Sequence, residues 1–148
     1  MSNLKPIYVN VKAKSKHGAL EFGVKWKTLK WWPFWNDDPI ELKPDTGGHE
    51  MMFNLIDDTD LDLLFLSDAT DAIWVQPDTC PAGKCNNGGQ ITPVSVENGG
   101  KQLRVTNANT GDPVDLHYAL NFNGKPSTTG PPYSHDPVIR NGGGTNIN

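Results

Sequence analysis

The chain has 148 residues, 36% of them apolar and 20% charged, with a formal net charge of −4. That is one domain's worth of chain with enough apolar mass for a real core. The acidic balance excludes nonspecific nucleic-acid binding, which needs a basic surface, and no run approaches the roughly 20 apolar residues of a membrane-spanning helix.

No basic segment followed by an apolar run opens the chain, so no signal peptide is expected and the default location is cytoplasmic. Ile7, Val9 and Val11 alternate with Tyr8, Asn10 and Lys12. Successive strand side chains point to opposite faces, so this pattern predicts a first strand. After a turn at 14–18, Leu20, Phe22, Val24 and Trp26 alternate with Glu21, Gly23, Lys25 and Lys27, predicting a half-buried antiparallel strand with one wet face. The two read as an N-terminal hairpin. Residues 31–35 are Trp-Trp-Pro-Phe-Trp, neither a clean strand nor a helix. Ile40 and Leu42 mark a short strand, ended by Pro44 and the turn residues after it.

Residues 51–56 are apolar apart from Asn54 and predict a strand buried on both faces. The acids at 57–60 break it. Residues 61–66 fit a short strand or one helical turn, 67–71 are polar, and 73–75 form another strand. Residues 77–89 are an irregular loop. Residues 91–97 are a strand containing Pro93, which calls for an edge or a bulge because proline cannot donate to a ladder. Residues 98–100, Asn-Gly-Gly, turn.

The stretch 102–122, QLRVTNANTGDPVDLHYALNF, organises the rest. It reads as two strands in a central hairpin. The second strand, 115–122, carries the clearest alternation and belongs near the centre of a sheet. A polar loop at 123–132 and a last strand at 133–140 follow. The expected fold is all-β: a two-sheet antiparallel sandwich of immunoglobulin-like shape with eight to nine short strands, one domain over 1–142 and a flexible tail at 143–148. Fifteen glycines and twelve prolines suit that many turns.

Charge is segregated. Residues 1–30 hold seven lysines against Glu21, and residues 37–78 hold twelve acids against Lys43. Two complementary solvated faces or neighbouring strands account for this; self-association through opposite patches into a homo-oligomer is the sharper reading.

Trp31, Trp32, Phe34 and Trp35, with Lys30 beside them, are the candidate ligand-binding residues. They could stack on sugar rings, anchor at an anionic membrane surface, or fold into the core across a sheet edge. Cys80 and Cys85 enclose Pro-Ala-Gly-Lys; they close a small disulfide loop or stay as two thiols, and the spacing allows both. They do not make a zinc site without a second pair, and no metal or other cofactor is expected. The acids at 57–62 lack the glycine and closing glutamate of a helix–loop–helix calcium site, which leaves a looser calcium site or a solvated run. No Gly-x-Ser-x-Gly elbow, phosphate-cradling loop or His-Glu-x-x-His occurs, and His117 with Asp115 on one strand face has no nucleophile to serve, so no catalytic residue is assigned.

Leu116-His-Tyr-Ala-Leu-Asn-Phe122, a polar loop, and Tyr133-Ser-His-Asp-Pro-Val-Ile-Arg-Asn-Gly142 resemble the closing part of the DP-EP family of small bacterial β-sandwich proteins. The Asp136-Pro137 pair carries most of the likeness, which covers the last third of the chain. The resemblance implies a bacterial origin and a sandwich fold, and it transfers no catalytic residue. The functional expectation is a non-enzymatic binding module for a carbohydrate or protein partner, using the aromatic segment or loops at one end of the sandwich. The alternative is a membrane-surface or self-assembling protein driven by the Trp/Lys-rich N-terminal third.

Overall fold

Alternation in the sequence becomes alternation in burial. In strand β1 (Lys5–Lys16) Ile7, Val9 and Val11 are buried while Tyr8 is exposed. The structure, a computed structural model, describes residues 5–16, 19–26, 40–77, 79, 81, 83–87, 89–124, 133–135 and 137–144. Among them are eleven strands in two sheets and one short helix.

The first sheet has the order β2-β1-β4-β8-β7, with β2 at Ala19–Lys25, β4 at His49–Asp58, β7 at Ile91–Glu97 and β8 at Gln102–Asn107. The expected N-terminal hairpin is present, with Val11 opposite Val24. The β1–β4 pair is parallel, with Ile7 opposite Met51 and Val9 opposite Phe53. It sets Lys14 of the basic segment opposite Asp58 of the acidic one. One basic and one acidic residue of the two segments are thus set side by side on adjacent strands. The wet face expected of β2 is not found: Gly23 is buried and Lys25 is only 5% exposed.

The second sheet is built around β9 (Val114–Asn123), as the alternation there predicted. On one side β9 pairs with β10 (Tyr133–His135) and β11 (Val138–Asn141); on the other with β5 (Leu64–Phe65) and β6 (Ile73–Pro77). Strand β3 (Ile40–Leu42) adds to β11 in parallel. Both sheets are therefore mixed, which corrects the antiparallel expectation.

Three further expectations change. Strands β8 and β9 are not a hairpin, because β8 pairs with β4 and β7 while β9 lies in the other sheet. Residues 108–113 carry the chain between sheets. The single last strand is two, and Pro137 lies between them, its carbonyl accepting from Tyr118 N at 3.0 Å; β11 is interior, not an edge. The polar stretch near 67–71 folds into helix α1 (Ala69–Ala72), whose N-cap Asp68 accepts from Thr70 N at 2.9 Å. That is the usual cap geometry for an aspartate. Pro93 behaves as expected on both counts: β7 pairs with β8 alone among the described residues, and its register slips between Pro93 and Ser95, leaving Val94 half exposed.

The inner rows of the two sheets share one core. Phe53 of β4 meets Tyr118 of β9 with ring centroids 5.6 Å apart, and Phe22 of β2 stacks on Phe122 at 5.2 Å. Each such side chain contributes roughly 1.5–3 kcal/mol on burial. Gly143 and Gly144, expected to begin a flexible tail, are tied to the 108–113 loop: Gly144 N donates to Gly111 O at 2.7 Å and Gly111 N returns a bond to Gly144 O at 2.8 Å. Both glycines have positive φ, and a Cβ on Gly143 would collide with the Gly111 carbonyl.

Candidate functional site

Three loops meet at one end of the molecule: 43–47 before β4, 108–111 after β8, and 141–144 after β11. Short polar side chains hold them. Asn107 and Asn141 are buried and exchange amide hydrogen bonds, Nδ2 to Oδ1 at 2.8 Å one way and 2.7 Å the other. Asn109 is fully buried with φ 48. Its Nδ2 faces Lys43 O at 3.1 Å, Thr46 Oγ1 at 3.1 Å and Gly47 O at 3.4 Å, while its Oδ1 accepts from Gly143 N at 2.9 Å. A buried polar group is stable only when partnered, and this amide is partnered on both atoms.

The loop that Asn109 holds forms one wall of a groove of about 570 Å³, lined by Pro6, Ile7, Tyr8, Trp26, Glu41, Leu42, Lys43, Thr46 and His49. That volume lies in the range of small-ligand sites. Strand β2 pairs with β1 only from Asn10 onward, so the first part of β1 runs on past it. Tyr8 stands on that part and is 62% exposed. Trp26 packs partly buried against the core at the end of β2. The lining thus combines aromatic surface with a carboxylate, an ammonium, a hydroxyl and an imidazole.

Across β3 lies a second groove of about 610 Å³, which includes Pro113, Asp115 and Arg140 and shares Glu41, Leu42 and Lys43 with the first. Arg140 Nη1 reaches Glu41 Oε1 at 3.1 Å, with both side chains more than half exposed. Such a pair is worth little in stability and is free to exchange partners.

The outer face of the first sheet holds a further charged group. Arg104 lies between Glu97, 2.8 Å from its Nε, and Glu50, 2.7 Å from its Nη1. The Arg104 hydrogen bond, then that from Ser95, holds the Glu97 carboxyl below its ordinary range. Gln102 Nε2 donates to Asn54 Oδ1 at 2.7 Å on the same face.

The residues singled out in the sequence fall as follows. Lys30, Trp31, Trp32, Phe34, Trp35 and Cys80 lie outside the described residues. Cys85 has a free thiol, 3.4 Å from Val75 O. In the acidic run, Asp57 accepts from Thr59 N at 3.0 Å and Leu63 N at 2.8 Å, with Lys101 Nζ 4.0 Å away; its oxygens organise a turn. Among the described residues no group of three His, Cys, Asp or Glu side chains could hold a metal. Asp115 is opposite Arg140 in the second groove, and His117 lines neither groove.

Tyr8, Trp26 and Asn109 were not singled out. Tyr8 did carry a signal, as a large aromatic on the polar side of a strand's alternation, and a large apolar group left outside is informative. No protein-family model matches the chain, and no curated protein matches it.

Proposed function

We propose that this chain is a non-enzymatic binding module whose ligand is a carbohydrate, taken in the groove that Tyr8, β3 and the 43–47 loop line. The observation that carries the reading is the exposure of Tyr8 in a groove that Trp26, Glu41, Lys43, Thr46 and His49 also line. A sugar ring has an apolar face of C–H groups that packs on an aromatic ring, and a rim of hydroxyls that both donate and accept. A groove lined by exposed aromatic surface and by mixed donors and acceptors complements that distribution. With this reading go an immunoglobulin-like outline with the ligand surface at one end of the sandwich, and the placement among DP-EP proteins.

The test is a glycan array followed by titration of intrinsic fluorescence, with the native protein and Tyr8→Ala. Binding to neutral glycans that falls about tenfold or more in the variant, or 1.4 kcal/mol, supports the proposal. Absence of glycan binding overturns it. Sedimentation with anionic vesicles, reversed by salt, favours the membrane-surface alternative in its place.

A further inference from the structure

The two grooves lie on either side of one strand. Glu41, Leu42 and Lys43 line both. Leu42 is buried as the floor, and Glu41 and Lys43 are exposed. Among the described residues, what both grooves share is therefore the segment Glu41–Leu42–Lys43, with Tyr8 on one side and Arg140 and Asp115 on the other. We infer that the two grooves are subsites of one cleft that crosses β3, and that its ligand is a linear neutral oligosaccharide long enough to engage both sides. This rests on the carbohydrate reading of the first groove.

The chemistry of the second groove fits that occupant. Glu41, Lys43, Asp115 and Arg140 balance to zero net charge, so the cleft has no preference for an anionic or cationic chain. Planar carboxylate and guanidinium groups each match two neighbouring hydroxyls. The Arg140–Glu41 contact is exposed and single, so a hydroxyl can replace either partner without leaving a buried charge. Pro113 and Pro44 frame this side and supply apolar surface for the ring face.

The experiment is calorimetric titration of the full chain with neutral β-linked oligosaccharides of two, four and six rings, chosen from the array-positive series. Affinity should rise about tenfold or more from two to six rings. Arg140→Ala and Asp115→Ala, both at exposed positions that leave the core untouched, should each collapse that six-to-two ratio towards one. Tyr8→Ala should weaken all lengths together. If sugars bind with no dependence on length, or if the ratio survives both substitutions, the two-subsite cleft is wrong while the single-groove reading stands. If no length binds, both fail. A six-ring uronate that outcompetes the neutral hexamer also overturns the neutral assignment.

Discussion

The two ends of β4 are secured in opposite ways. At its start, Asn109 grips loops 43–47 and 141–144 with a neutral amide that is fully buried. At its far end, Asp57 grips the turn to Leu63 with a carboxylate whose side chain is 8% exposed, beside the ammonium of Lys101. Both tie backbone groups through one short side chain. The amide end needs no charge to be desolvated, so it can be sealed completely. The acid end keeps a counter-charge and partial contact with water. The grooves lie at the amide end, where the wall is held without a fixed charge and the charged side chains that line the grooves are exposed.

Exchanging the two chemistries tests this contrast most severely. Asn109→Asp turns the donor that faces three acceptors into an acceptor and buries it, which should destabilise the chain by about 4 kcal/mol in urea denaturation. The introduced carboxyl would be held protonated in the folded state. Its folded pKa would be raised, so the variant should lose stability as pH rises above the ordinary carboxylate range and regain some as pH falls. The same substitution should lower glycan affinity, because loop 43–47 loses its support.

Next in size is the Asn107–Asn141 pair. Asn107→Ala and Asn141→Ala each strand a buried amide and should cost about 2 kcal/mol. The double variant should cost less than the sum by at least about 1 kcal/mol in a mutant cycle. Additive losses would mean that the pair is not coupled. The counterpart exchange at the other end, Asp57→Asn, keeps one acceptor in place and should cost only about 1 kcal/mol. A loss equal to that of Asn109→Asp would erase the distinction between the ends.

The smallest effect is at Glu97. Its hydrogen bonds from Arg104 and Ser95 lower the folded pKa, so its contribution is present at neutral pH and is lost as pH falls through that lowered value. Carboxyl-carbon NMR titration should place Glu97 below the ordinary glutamate range, and Arg104→Ala should return it most of the way.

Strand positions were legible because burial on one face imposes a period of two. Ile7, Val9 and Val11, or Leu116, Tyr118, Leu120 and Phe122, declare their face without any knowledge of neighbours. Pro93 was legible because its missing donor restricts it wherever it occurs. Strand partners were not. Nothing in the alternation of Leu103 and Val105 says that they pair with β4 and not with β9, and a parallel β1–β4 contact joins segments separated by β2 and β3. Helix α1, at four residues, is too short for a period. The candidate site divides the same way. Tyr8 could be read as an exception within its strand. Asn109 reads as a turn residue, and its role depends on Lys43 and Gly143, which only the fold brings to it.

The interior place of β11 has a kinetic consequence. Its Ile139 sits between Leu116 of β9 and Ile40 of β3, so the second sheet is a keystone arch. Among the described residues β3 pairs with β11 alone, so that pairing waits for residues 138–141, although β3 is synthesised nearly a hundred positions earlier. A nascent chain that stops short of residue 138 holds the first sheet's strands and β5, β6, β9 and β10, but lacks the strand that joins β3 to them. Such chains should depend on chaperones, and closure of the arch, a pairing of very long sequence separation, should limit the folding rate.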